Sequence, residues 1–445
     1  MSVRSRLAGL GFVIFAVVVV AAAAPALARP SGGSGSAAVN SGTRFYVPKP
    51  NHGALDQIAA LTAAGHKADA DLIQAMIDTP SAVWFTGGSP KSVEQAVKST
   101  VSRAAGKGAV PVLVAYNIPF RDCSQFSAGG ATSVAEYNAW IDAFAAGIGD
   151  AAAIVILEPD GLGIIPWYDP YGPSDGSTTL EWCQPAEANP ATAASDRFAL
   201  LNAAVDRLNE QSNVSVYLDG SHSGWLGVGD AAQRLVRAGV ERAAGFFLNV
   251  SNYQHTANLR QYGRWISSCI AYATSIAASD YVGCPNQYWN GGPLPSKIAQ
   301  LLGEWTGVAL RGSDVWSDDS DVPELNTSGV NLRYANMLGG TLPSTHFVVD
   351  TSRNGRGPWV ADHPAGDPQD WCNPPDRGTG ITPTASTGVP LLDAYLWVKI
   401  PGESDGQCNR WAPTGSADPV RGVIDPPAGV WFDAMALELA RNATP

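Results

Sequence analysis

Residues 151–160, AAAIVILEPD, set two carboxylates at the end of an apolar run, and chemistry is expected there first. The run 154–157 has the continuous apolar character of a strand buried on both faces. Pro159 cannot extend a central strand, so the chain turns and presents Glu158 and Asp160 at the strand's C-terminal end. In α/β barrels that rim carries the active site. An isolated Glu-x-Asp is more readily a helix cap beside a solvated acid, so other strand ends have to decide.

They repeat the pattern. Asp122 follows the apolar run 110–116, Asp219 follows 214–218, Asp350 follows 347–349, and Lys399, Glu403 and Asp405 close the last run. Five strands ending in Asp-containing loops gather many acids at one mouth. Such crowding raises the pKa of at least one of them, which is how a carboxylic acid stays protonated long enough to donate a proton.

The elements that must position these acids are short apolar runs at 45–47, 82–85, 110–116, 154–157, 214–218, 246–250, 347–349 and 395–400, separated by segments of helical period. This is βα alternation. After Thr132 a capping box from Ser133 to Glu136 opens a helix with Val134, Tyr137, Ile141, Phe144 and Ile148 on one stripe. Another helix places Phe198, Leu201, Val205 and Leu208 on one face. Both suit the outside of a parallel sheet joined by right-handed crossovers. Segments 166–194 and about 266–340 break the alternation and read as loops that shape a cleft.

Composition bounds the setting. The 445 residues are 45% hydrophobic and 15% charged, enough for a large core and a single catalytic unit. With 28 basic and 40 acidic residues the net charge is -12, which disfavours nucleic acid and anionic membrane as partners. Arg4 and Arg6, an apolar run over 7–24 and the small residues Ala26 and Ala28 read as a secretory signal peptide at 1–28. A Gly/Ser-rich flexible segment follows at 29–43, and a catalytic domain at 44–445. A membrane anchor is the competing reading of the first run, but the cleavage site favours its removal and a secreted, extracellular protein. Six cysteines, an even number in an oxidising compartment, read as three disulfides. None has a zinc spacing, so no metal is expected.

The residues YNIPFRDC (116–123), ILEPD (156–160), YLDGSHSGW (217–225), NVSNY (249–253), VVDTSRNGRGP (348–358), WCNPPDRG (371–378) and LWVKIPGESDGQC (396–408) resemble glycoside hydrolase family six, the inverting cellulases and cellobiohydrolases. The matches run in order from about residue 45 to the C-terminus. What the resemblance implies is a distorted, incompletely closed parallel α/β barrel with long cleft-shaping loops, acting as a monomer on β-1,4-glucan without a cofactor. Carried over residue by residue, Asp160 matches the general acid, Asp122 the aspartate that raises its pKa and helps place water, and Asp405 the proposed base. An inverting pair needs carboxylates roughly 6.5–9.5 Å apart, so that water fits beside the anomeric carbon.

By the same resemblance Tyr116 lies beneath the distorted sugar, Lys399 and Glu403 form a charged pair on glucose hydroxyls, and Asp219, His222, Trp225 and Asn252 belong to the binding cleft. It pairs Cys123 with Cys183 and Cys372 with Cys408, leaving Cys269 with Cys284. Two departures stand out: Ala128 replaces the family's water-holding serine, with Ser127 one residue earlier, and Gly161-Leu162-Gly163 before Pro166 delays the helix after the acid motif.

A glucan-binding relative with weakened chemistry is the rival reading, on the strength of Ala128 alone. A serine esterase fails because His222 occupies the centre of Gly220-Ser221-His222-Ser223-Gly224, where the nucleophile elbow needs serine. The acidic run Asp318-Asp319-Ser320-Asp321 lacks the glycine turn and terminal glutamate of a calcium loop. Clues to endo or exo action conflict: the segment after Cys408 is long, and the loop 124–131 is short.

Overall fold

Seven parallel strands lie side by side in chain order: β1 (Val83–Phe85), β2 (Val112–Ala115), β3 (Ala153–Leu157), β4 (Val214–Asp219), β5 (Gly245–Leu248), β6 (His346–Asp350) and β7 (Leu392–Leu396). The computed structural model describes residues 39–170, 180–297, 307–364 and 366–444. The expected signal peptide and most of the Gly/Ser-rich segment lie outside the described residues. No helix among the described residues is long and apolar enough to cross a membrane.

The sheet is buried on both faces, as the unbroken apolar runs require. Val112, Val114, Ile154, Ile156, Tyr217, Phe247 and Val348 share one face and form an inner core. The alternate residues Leu113, Val155, Leu157, Val216, Leu218, Phe246 and Val349 join the outer core with the helices. The sheet curls into an open half-barrel. Its two ends do not pair as strands, but Ala82 N donates to Trp397 O at 2.9 Å and the Trp84 indole donates to Val398 O at 2.8 Å.

Nine α-helices are described: α1 (His52–Ala63), α2 (Lys67–Ile77), α3 (Pro90–Gly106), α4 (Val134–Ile148), α5 (Ala193–Asn209), α6 (Val228–Arg237), α7 (Thr256–Ser275), α8 (Ser328–Leu338) and α9 (Asp433–Arg441). In α4 the Ser133 hydroxyl accepts from Glu136 N at 3.1 Å, as the capping box predicts. The return bond differs, because the Glu136 carboxylate accepts from Thr132 N and its hydroxyl. Tyr137, Ile141, Phe144 and Ile148 are buried, whereas Val134, in the first turn, is exposed. The expected face of α5 is buried throughout.

Three sequence expectations need correction. Residues 45–47 form no strand: Phe45 makes only an isolated bridge to Val110. The last strand covers Leu392–Leu396 instead of 395–400, because Val398 N and Lys399 N bond the Asp350 carboxylate (3.1 and 3.0 Å) and leave the ladder. The expected loop at about 266–340 starts later, since α7 continues to Ser275, and α8 lies within it. The disulfides are Cys123–Cys183 and Cys372–Cys408, as the resemblance implies, and Cys269–Cys284, the pair it leaves over.

Helix α7 approaches β6 closely because Gly263 has no side chain: a Cβ there would sit 2.5 Å from the Phe347 ring. Phe347 is fully buried and stacks on Phe246 with ring centres 5.4 Å apart, so it has nowhere to move. Gly263→Ala should therefore destabilise the fold by about 1–3 kcal/mol, the usual cost of overpacking. A urea midpoint lowered at unchanged slope is the expected result.

Candidate active site

Chain direction changes sharply at the end of β3. Glu158 and Asp160 both take left-handed backbone angles, φ 53° and 62°, either side of Pro159. This sends the two carboxyls in different directions. Glu158 turns inward, is fully buried, and accepts from Asn117 N at 2.8 Å and Ile118 N at 3.0 Å. It ties the β3 exit to the β2 exit. Burial nonetheless raises its pKa to about 7, against the pull of those amides and of Arg197.

Asp160 instead lines the cleft over the strand ends. Its loop is fixed from below by two buried arginines. Arg197 of α5 donates to Gly161 O, Ile164 O and Pro119 O, and Arg234 of α6 donates to Leu162 O. Asp219 completes the support by accepting from Leu162 N, Gly163 N and Ser221 N. It is 5% exposed and does not line the cleft, so of the expected binding residues it alone sits beneath the surface.

Burial pushes the Asp160 carboxyl well above the usual carboxylate range, and the negative charges of Asp219, Asp122 and Asp405 push it further, opposed by Lys399. Such a group holds its proton to higher pH than an ordinary carboxyl does. Asp219 contributes more than Asp122, an order that spacing along the chain does not reveal.

Asp122 follows β2 in another left-handed turn, φ 57°, and faces the same cleft. Burial raises its pKa to about 6, while a bond from Ser127 N at 2.6 Å and the nearby Arg121 pull the other way. Both Ser127 and Ala128 line the cleft. Arg121 also covers the Tyr116 ring at 4.6 Å, and Trp84 meets that ring edge-on at 5.5 Å.

Asp405, across the cleft, has the opposite electrostatics. Burial alone would raise its pKa, but Arg353 at 2.8 Å, Lys399 at 3.4 Å and the Asn373 amide at 3.1 Å hold it below the usual range. Lys399 and Glu403 both line the cleft without bonding each other: the ammonium faces Asp405, and Glu403 accepts from Asn51 Nδ2 at 2.9 Å. Asn51 is also the N-cap of α1.

His222, Trp225 and Asn252 complete the wall. Burial lowers the His222 pKa to about 4, so the ring is neutral, and its Nδ1 accepts from Gly224 N at 3.2 Å. Nε2 then carries the proton. Gly163 makes room for Trp225, whose ring would lie 2.6 Å from a Cβ there. Trp84, Trp182 and Trp371 add further indole faces. Wide aromatic faces beside neutral and charged polar groups suit a sugar chain. Arg353, Asn373 and Asn51 carry geometry that sequence reading left unassigned, although the first two stand inside the motifs quoted above.

Residues 40–443 match the model of "Glycosyl hydrolases family 6". Endoglucanase 1 of Streptomyces sp. (strain KSM-9) is 33% identical over 344 residues, 77% of this chain and 67% of its own length. Endoglucanase A of Cellulomonas fimi is 32% identical over 84% of this chain and 57% of its own, so the chain spans little more than half of that relative. The probable 1,4-beta-D-glucan cellobiohydrolase C of Aspergillus terreus is 31% identical over 78% of this chain and 63% of its own. Among solved structures, the endoglucanase Cel6 of Mycobacterium tuberculosis, in complex with a methyl-cellobiosyl-4-deoxy-4-thio-β-D-cellobioside, superposes with TM-score 0.58 at 29% identity, covering 90% of this chain and 97% of that one. The open half-barrel, the acid-lined cleft at its strand ends and these likenesses agree: the chain belongs to glycosyl hydrolases family 6.

Proposed function

We propose that the protein is a secreted enzyme that hydrolyses β-1,4-glucosidic bonds of cellulose-type glucans with inversion, Asp160 acting as general acid. One observation carries this reading: a carboxyl driven to hold its proton stands in an aromatic-lined cleft that also presents Asp122 and Asp405. Membership of the family and the three disulfides support it, the latter as bonds that persist in an oxidising compartment. The signal peptide at 1–28 and the catalytic domain from residue 44 are part of the same reading.

In this mechanism a glucose unit lies over Tyr116 with its hydroxyls toward Lys399 and Glu403. Asp160 gives its proton to the glycosidic oxygen as the C–O bond breaks, and the sugar passes through an oxocarbenium-like state. Water attacks the opposite face and loses a proton. Asp122, with a pKa of about 6, is the better matched acceptor near neutral pH. Asp405 is ionised, but Arg353 and Asn373 weaken its basicity, so its larger contribution is a fixed negative charge facing the developing cation. Neutral His222, with its Nε2 proton, serves as a hydrogen-bond donor along the cleft.

No covalent glycosyl-enzyme forms in this scheme, so NMR of the first product from a β-glucan should show the α anomer. A β anomer appearing first would refute the carboxylate roles.

Asp160→Asn should lower kcat on unactivated glucan by about 10²–10⁴-fold, the scale of general acid catalysis. A glucosyl fluoride, whose leaving group needs no proton, should suffer far less. Glu158 holds amides in the core, so Glu158→Gln is predicted to act through stability, visible as a lower Tm, and to spare the contrast between the two substrates.

Asp122→Asn removes a negative charge that helps keep Asp160 protonated. The acid's pKa falls, so the alkaline limb of the kcat/KM profile should move to lower pH, together with a loss of turnover. An unmoved limb would separate Asp122 from Asp160 electrostatically.

A further inference from the structure

Behind Asp405, on the side away from the cleft, Asn373 forms a clamp. The residue is fully buried with φ 41°, the left-handed region, which a non-glycine residue enters only when its surroundings compensate. The compensation is visible. Asn373 N donates to Asp405 Oδ2 at 3.1 Å, and its Oδ1 accepts from Asp405 N at 2.8 Å. Its Nδ2 reaches Ser404 Oγ and Gly406 O, both at 3.0 Å, and Asp425 Oδ2 at 2.8 Å. One side chain thus fixes residues 404–406 and rests on Asp425.

Asp425 in turn faces Asp418. They are 1% and 0% exposed, and one oxygen of each lies within 4.8 Å of the other and of the Cys408 sulfur, which is committed to the Cys372–Cys408 disulfide. Asp425 Oδ1 and Asp418 Oδ2 are both buried without a hydrogen-bond partner. The charged groups around them are already engaged. Arg410 binds Asp418 Oδ1 at 2.9 Å and also Asp367, while Arg421 binds Glu438 at 2.7 Å. Two ionised carboxylates here would set unpaired anionic oxygens against each other out of water, a costly arrangement that a single proton removes.

We propose that Asp425 is a positioning residue for Asp405: it holds a proton in the hollow it shares with Asp418, and through Asn373 the protonated carboxyl keeps residues 404–406 and the Asp405 carboxylate in place. The direction of titration agrees. Burial raises the Asp425 pKa to about 6, and the charge of Asp418 adds to it, against the Asn373 bond and the positive charges of Arg421 and Arg410. The proposal rests on the reading of Asp405 as part of the reacting set, but its thermal consequence does not.

An acid whose folded pKa lies above its unfolded value near ~3.9 stabilises the fold through its neutral form at low pH. That contribution is lost as the pH rises through the interval from about 4 to 6. Asp425→Asn cannot lose a proton, keeps an oxygen for Asn373, and offers an N–H to Asp418. Melting the full chain at pH 4 and pH 7 should show the Tm of Asp425→Asn gaining about 3 °C relative to wild type between the two. In kinetics at pH 5, where Asp425 still holds its proton, Asp425→Ala should lower kcat about tenfold with KM changed less than about twofold, and Asp425→Asn should recover most of that loss.

Parallel Tm curves for wild type and Asp425→Asn would remove the proton and overturn the proposal. So would a wild-type Tm at pH 7 that rises with millimolar calcium and falls with a chelator, since a cation would then fill the hollow. A shifted Tm curve with equal activity in the Ala and Asn variants would leave the proton but sever it from Asp405, overturning the positioning role. Failure of Asp405 as a catalytic group would appear separately, as an Asp405→Asn variant with undiminished turnover.

Discussion

Every parallel strand that leaves a sheet carries backbone amides that its neighbours no longer bond, and in this protein carboxylates and an amide satisfy them. Glu158 takes the amides of Asn117 and Ile118, Asp219 those of Leu162, Gly163 and Ser221, and Asp350 those of Ser352, Val398 and Lys399. Asn249 does the same for Gln254 while donating to Asp350 O. Unpaired amides in such a buried rim would cost about 1–3 kcal/mol each. The acids therefore work as loop fasteners, and each joins the exits of neighbouring strands. Asp160, Asp122 and Asp405 can face the cleft because this framework holds the loops that carry them.

The same framework sets the electrostatics. Acids used as fasteners stay close to the acids that face the cleft, and Asp219 is the largest charged contributor to the raised pKa of Asp160. On the other side Arg353 and Lys399 compensate Asp405, so one carboxyl keeps its proton and another sheds it within a single cleft. Two environments, built from the same residue type, pull their titrations apart.

Much of this was legible in the chain. Seven of the eight apolar runs became strands, the βα alternation gave the parallel order, and the acid-bearing strand ends met at one rim. The motif resemblance carried two of the cysteine pairs and left the third by remainder. What one dimension could not show was direction. Glu158 and Asp160 are two residues apart and differ in fate because of two positive φ angles, which composition does not encode. Asp219 reads like any other strand-end acid, yet loop amides capture it below the surface. The end of β7 was misplaced for the same cause, because the carboxylate of Asp350, 48 residues from Val398 in the chain, draws off amides that the apolar pattern assigns to the ladder. Arg353 and Asn373 went unassigned because their partners come together only in the folded loops.

The open edge of the half-barrel has a mechanical consequence. Where β1 and β7 approach, the wall is joined by Ala82 to Trp397 and by the Trp84 indole to Val398, in place of a ladder. Trp84 and Lys399 stand on opposite lips of this seam and both line the cleft. A weld so slight resists splaying far less than a row of interstrand bonds. The width of the cleft floor is held at this seam by two hydrogen bonds and by side-chain packing, so it is the dimension of the sheet with the fewest backbone bonds to set against a polymer laid across it.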